Sequence, residues 1–142
     1  MNQLQSQPGS PEERLKKCKQ IEILFLIIAW ISAVCCLIRT DFNFAFALFG
    51  YYLWISRGDK ANSMMLIIMN GVLVLVDIIW LIAVANVWTS TSDNKAWNSL
   101  HGLHVFALLL SILNVILKAV IIFLINSYKN GQNAENTKNM AG

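Results

Sequence analysis

Four long stretches of this sequence are almost free of charged residues, and this feature limits most strongly what the chain can fold into. Charged residues make up 13% of the 142 residues, whereas hydrophobic residues make up 56%. Lys, Arg, Asp and Glu concentrate between the stretches instead of scattering as they would over a surface exposed to water. The pattern predicts an integral membrane protein and argues against a soluble enzyme.

The four stretches cover residues 21–38, 42–56, 61–88 and 100–127, and we predict that each forms a transmembrane helix. A helix needs about 20 residues to cross the hydrocarbon core of a bilayer. The second stretch is the shortest, since it reaches only about 22 Å as a helix. A segment that dips into the bilayer and returns is therefore the alternative for residues 42–56.

The predicted fold class is all-α, an integral membrane four-helix bundle over residues 21–128. The runner-up is three spanning helices with a short dipping segment. Because the connections are short, helices that follow one another in the chain are expected to pack as antiparallel neighbours. Residues 1–20 are predicted to be a flexible N-terminal segment and residues 129–142 a polar, disordered tail.

The distribution of positive charge predicts which side of the membrane holds the termini. Cytosolic flanks of transmembrane helices carry most of the Lys and Arg residues. If all four stretches span, eight cations lie on one side and only Arg39 and Lys95 on the other. A dipping second segment would remove this bias. We therefore predict that both termini are cytosolic.

Charged residues interrupt the third and fourth stretches at Asp77 and Lys118. An ionised side chain near the centre of a transmembrane helix costs about 2.5–3.5 kcal/mol to insert. Pairing of the two residues would offset that cost, whereas Lys118 alone has the alternative of extending its side chain to the cytosolic interface. The sequence predicts an ion pair between the third and fourth helices.

Uncharged polar residues accompany each charge along one face of its helix. Residues seven apart lie about 20° apart around a helix, which aligns Ser63 and Asn70 with Asp77. In the fourth helix, the polar residues all lie within an arc of about 140° around the helix axis: His101, His104, Ser111, Asn114 and Lys118. The predicted intramembrane polar network comprises Asp77, Lys118, Asn114, Asn70 and Ser111.

Other residues that often carry chemistry form no catalytic or metal-binding pattern. His101 and His104 are three residues apart but have no third ligand nearby, so a polar pair at the luminal end is favoured over a zinc site. No metal or other cofactor is predicted, and no nucleic-acid-binding pattern is present. Cys18 lies among Lys16, Lys17 and Lys19, which suits lipidation or contact with anionic lipids as well as an unmodified thiol.

Several segments resemble the type-1 angiotensin II receptor-associated protein family over roughly residues 24–129. The segments are Phe44–Gly50 followed by Trp54, the Arg57-Gly58-Asp59 turn, Met64–Val76 leading into Val76-Asp77-Ile78-Ile79, and Leu108–Ser111 continuing through Ile116-Leu117-Lys118. The resemblance implies a small multi-pass protein of the endoplasmic reticulum, Golgi, vesicles or plasma membrane. It also implies binding to the tail of a G-protein-coupled receptor and promotion of its internalisation.

Two functions follow as expectations. The first is a non-enzymatic membrane adaptor that modulates the trafficking, internalisation or signalling of a receptor. Its partners would be the lipid bilayer and a G-protein-coupled receptor or another membrane protein, with a homo-oligomer left open. The alternative is a small channel, carrier or ion-pathway subunit that uses Asp77 and Lys118, because ionisable residues inside a membrane commonly mark such pathways.

Overall fold

The protein is helical throughout the part that the structure, a computed structural model, describes, namely residues 10–56 and 60–141. Five helices follow one another: α1 (Pro11–Cys35), α2 (Asn43–Ser56), α3 (Lys60–Thr89), α4 (Lys95–Ser99) and α5 (His101–Ala141). The prediction of an all-α fold is confirmed. The Arg57-Gly58-Asp59 turn of the family resemblance lies outside the described residues.

Three of the described helices are long and apolar enough to cross a membrane, namely those at Pro11–Cys35, Asn62–Thr89 and His101–Ala134. The chain is therefore embedded in a membrane. The predicted helix at 42–56 is present as α2, but its 14 residues reach only about 21 Å, short of a hydrocarbon core of about 30 Å. The structure thus offers three candidate spans where the sequence predicted four.

Helix α1 begins ten residues before the predicted first span. The Ser10 side chain accepts a hydrogen bond from the Glu13 backbone N–H at 3.3 Å, and Pro11 occupies the first helical turn. Glu12 and Glu13 place negative charge at the positive end of the helix dipole. The prediction of a flexible segment over residues 1–20 is therefore wrong from residue 11 onward, and its residues 1–9 lie outside the described part of the chain.

Helix α5 continues to Ala141, so the predicted disordered tail over 129–142 is wrong for residues 129–141. A helix already formed in the bilayer extends at little cost, because each added residue contributes a hydrogen bond without a new nucleation step. Gln132 donates to the Tyr128 hydroxyl at 3.3 Å, and the Thr137 hydroxyl donates to the Asn133 carbonyl at 2.9 Å. Asparagine-rich composition did not prevent helix formation here.

The helices pack as two hairpins. Helix α1 packs on α2, α3 packs on α5, and a third extensive interface joins α1 to α5. Helix α2 touches α3 only slightly, so the expectation that all successive helices are close neighbours fails at this pair. Gly50 permits the α1–α2 approach, since a Cβ there would lie 2.5 Å from the Phe25 ring.

The two ends of the bundle differ in character. We call the end that contains Trp54 and Tyr128 the near end; their rings lie 5.3 Å apart in an edge-to-face arrangement. Lys17 donates to Ser127 at 3.1 Å there, which places the start of α1 beside the later part of α5. The far end contains Trp88 and Trp97, whose rings both contact the ring of His104.

The apolar core occupies the near half of the bundle. Its buried side chains come from α1, α2, α3 and α5: Ile21, Phe25, Ile28, Ala29, Ala47, Trp54, Leu66, Ile121 and Ile125. Large apolar side chains also cover the outside of every long helix, including Ile82 and Phe123, which are 74% and 70% exposed. A bilayer is the medium that such a surface requires.

Candidate functional site

Asp77 of α3 and Lys118 of α5 contact each other at the centre of the bundle. The Lys118 ammonium donates to the Asp77 carboxylate, and the two side chains are 1% and 8% exposed. The α3–α5 interface brings them together from positions that lie 41 residues apart in the chain. Each charge therefore has an opposite charge beside it in a region from which water is excluded.

Asn43, the first residue of α2, joins the pair. Its side-chain amide donates to both Asp77 carboxylate oxygens, at 3.0 and 3.2 Å, while its side-chain oxygen accepts from Lys118. Both the NH₂ group and the oxygen of the side-chain amide are therefore hydrogen-bonded, and Asn43 is itself 3% exposed. This three-residue cluster holds α2, α3 and α5 at one point, although α2 has little other contact with α3.

A second ion pair lies directly beside this cluster, in the connection between α1 and α2. Arg39 and Asp41 are 3.5 Å apart, and Asp41 also accepts a 2.9 Å hydrogen bond from the Asn43 backbone N–H. The Arg39 guanidinium lies 3.7 Å from the centre of the Trp80 ring and donates to Ser111 at 3.2 Å. Such stacking on an aromatic face stabilises a cation that has left water.

The four charged residues form one electrically neutral unit, which we call the charge cluster: Arg39, Asp41, Asp77 and Lys118, connected through Asn43. Two positive and two negative charges balance in a small volume. A buried charge without a partner costs several kcal/mol, whereas a paired and hydrogen-bonded one is tolerated. The arrangement is typical of charges that stabilise a particular helix packing.

Two of the remaining residues of the predicted network, Asn114 and Asn70, lie outside the charge cluster. Asn114 donates to the Ser32 hydroxyl of α1 at 2.9 Å rather than to Asp77, and thereby links α5 to α1. Asn70 donates to the Leu66 carbonyl of its own helix at 2.9 Å. Ser111 joins through Arg39. The structure therefore brings Asp77, Lys118 and Ser111 into the charge cluster or against it, and leaves Asn70 and Asn114 outside.

Sequence reasoning missed Arg39, Asp41 and Asn43. The first two occupy the short gap between apolar stretches, which is ordinarily a water-exposed loop, and Asn43 follows immediately after them. The one available signal was the length of residues 42–56, because a helix too short to cross the bilayer can begin inside it. Their burial is a property of the tertiary packing.

Of the two histidines, His104 belongs to an aromatic cluster at the far end. The His104 ring contacts the rings of both Trp88 and Trp97, with ring centres 4.8 and 4.5 Å away. Trp80 extends this cluster, since its ring lies edge-to-face against that of Trp88 with the ring centres 5.2 Å apart. Among the residues that the structure describes, no three His, Cys, Asp or Glu side chains could hold a metal ion together.

Cys18 lies near the water-facing part of α1. Its thiol contacts Glu22 at 3.7 Å, and its backbone carbonyl accepts from the Trp54 indole N–H at 3.2 Å. It also borders a groove of about 220 Å³ lined by Pro11, Arg14, Leu15 and Tyr128. Lipidation of Cys18 stays a prediction from the sequence.

No family model, curated protein or solved structure matches the chain.

The charge cluster predicts strong coupling between its members. Lys118→Met leaves Asp77 without its cationic partner, and Asp77→Asn leaves Lys118 without its anionic one, so each is expected to lower the free energy of unfolding by about 3–5 kcal/mol. The double variant leaves neither residue as an unpaired charge. We expect it to lower the free energy of unfolding by less than the sum of the two single-variant losses. Unfolding of the purified protein in detergent micelles measures all three.

Lys129→Met is the matched control, because it makes the same substitution near the water-facing end of α5. We expect it to change the free energy of unfolding by less than about 0.5 kcal/mol. Additive losses for Asp77→Asn and Lys118→Met would contradict the coupling.

Proposed function

We propose that the protein is a non-enzymatic, multi-pass membrane adaptor that modulates the trafficking, internalisation or signalling of a membrane receptor. The observation that carries the proposal is the pair of helical extensions at the near end, formed by the first ten residues of α1 and the last fourteen of α5, from Tyr128 to Ala141. These polar segments extend past the apolar core. They provide a structured surface for a partner.

Contacts between the two extensions hold them together. Lys17 bridges Glu13 of its own helix at 2.9 Å and, at 3.1 Å, Ser127 of α5, the residue just before the second extension. Further out, the Arg14 side chain lies against Gly131 of α5. The groove described above lies between them, and Leu15, 59% exposed, supplies an apolar contact at its edge. A rigid surface binds a partner at a smaller entropic cost than a disordered tail.

The family resemblance agrees with this location. It implies that the C-terminal segment binds the tail of a G-protein-coupled receptor. The excess of Lys and Arg near residues 14–19 and beyond Ile125 favours the cytosol for this end of the bundle. Both termini are therefore proposed to be cytosolic, in an endomembrane or the plasma membrane, where receptor tails are accessible.

Gly131 offers a sharp test, because it lies in α5 where the extension leaves the bundle. Gly131→Pro removes a helical hydrogen bond and breaks the extension, at about 3 kcal/mol or more. Gly131→Ala fits, since its Cβ would lie 3.9 Å from Arg14, and it favours the helix by about 1 kcal/mol. We expect Gly131→Pro to lose binding to the type-1 angiotensin II receptor tail and Gly131→Ala to keep it.

The measurements are co-purification with the full-length receptor and the rate of receptor internalisation in cells that express each variant at equal level. Equal co-purification and equal internalisation rates for Gly131→Pro and Gly131→Ala would mean that the receptor binds a different surface of the protein. Failure of the unchanged protein to bind would remove this receptor as the partner.

The buried charges favour a second candidate, an ion or proton pathway subunit, because ionisable residues inside a membrane are often part of such routes. The charge cluster is neutral and its members bond to one another, which supports a structural role instead. We expect proteoliposomes with the purified protein to conduct no cations or protons above the level of empty liposomes. Flux that disappears in Asp77→Asn would favour the pathway over the adaptor.

A further inference from the structure

We propose that the connection between α1 and α2, residues 36–42, is a turn embedded in the hydrocarbon of the membrane and covered by lipid acyl chains. Helices α1 and α2 would then form a hairpin that enters and leaves by the near side. Only α3 and α5 would cross the bilayer completely. The inference concerns how the chain meets lipid and does not depend on the adaptor function.

The depth of the turn is the first argument. Arg39 contacts Trp80 of α3 and Ser111 of α5. Along α5, Ser111 lies about 26 Å from Tyr128 at the near end. In the other direction, α5 continues for about 15 Å from Ser111 to His101 at the far end. Along α3, the helix continues about 14 Å beyond Trp80 to Thr89. A hydrocarbon core of about 30 Å that starts near Tyr128 therefore includes the turn.

The side chains of the turn are arranged in the opposite way from those of a loop in water. Leu37 and Phe42 point outward and are 85% and 72% exposed. The Arg39 and Asp41 side chains are turned inward and are 11% and 2% exposed. In water, the apolar residues would be covered and the charged ones hydrated. This arrangement suits a surrounding of acyl chains, with Thr40 as an exposed polar exception.

The backbone N–H groups in the first half of the turn have partners within the protein, whereas those of Thr40, Asp41 and Phe42 have none among the described residues. The Leu37 N–H donates to the Val34 carbonyl, and those of Ile38 and Arg39 both donate to the Cys35 carbonyl, at 2.9–3.1 Å. The Asn43 N–H donates to the Asp41 side chain. The bonded groups suit a surrounding of lipid, where each backbone group left without a partner costs several kcal/mol.

Cysteine labelling tests the proposal directly. The parent protein carries Cys18→Ser, Cys35→Ala and Cys36→Ser, and single cysteines are then placed by Leu37→Cys, Ile112→Cys or Thr91→Cys. Ile112 is the matched lipid control, since it follows Ser111 on α5 and is 45% exposed. Thr91 is the water reference, because it is exposed in the connection between α3 and α4.

Each variant is reconstituted into phosphatidylcholine vesicles and treated with a membrane-impermeant maleimide during freeze–thaw cycles, so that the reagent reaches both faces. We expect the cysteine at position 37 to react roughly tenfold more slowly than that at position 91, at a rate close to that of position 112. Full labelling after denaturation in detergent shows that all three thiols are intact.

A rate for position 37 closer to that of position 91 would overturn the proposal, because the turn would then reach water. Phe42→Cys provides an independent measurement from the other side of the turn, and the same protection is expected. Reaction of Phe42→Cys at the rate of Thr91→Cys would overturn the proposal even if Leu37→Cys failed to fold.

Discussion

The need to neutralise charge inside a bilayer organises this protein. Asp77 and Lys118 lie where no water can solvate them, and each is stabilised by the other and by Asn43. Charges in such surroundings tolerate little displacement, because moving one leaves its partner buried and alone. The relative positions of α2, α3 and α5 follow from this requirement. Apolar packing in the near half then completes the bundle.

The second ion pair extends the same principle to the connection between α1 and α2. Arg39 and Asp41 neutralise each other, and Trp80 and Ser111 accommodate the guanidinium. The hairpin of α1 and α2 is thereby anchored to the hairpin of α3 and α5 by polar contacts deep in the structure. Ser32 and Asn114 add a further contact between α1 and α5. A fixed packing of this kind keeps the near-end extensions in register with each other, and the proposed binding surface depends on that register.

The sequence was sufficient to predict the helical fold and the opposite charges facing each other on α3 and α5, because both follow from apolar length and helical periodicity. It also contains a helix start at Ser10-Pro11-Glu12-Glu13, where the capping pattern outweighs the polar composition of the segment. The burial of Arg39, Asp41 and Asn43 could not be predicted from apolar length and helical periodicity. Whether residues between two apolar segments are exposed depends on how deep the turn lies, and depth is set by packing against α3 and α5.

The contact between Lys118 and Asp77 is the central claim, and solid-state NMR in lipid bilayers measures it without any substitution. Dipolar recoupling between the ¹⁵N-labelled Lys118 ammonium and the ¹³C-labelled Asp77 carboxyl carbon reports their separation. A direct hydrogen-bonded ion pair predicts a separation below about 4 Å. A separation beyond about 6 Å would mean that the two charges are stabilised independently, and it would contradict the account of how these helices are held together.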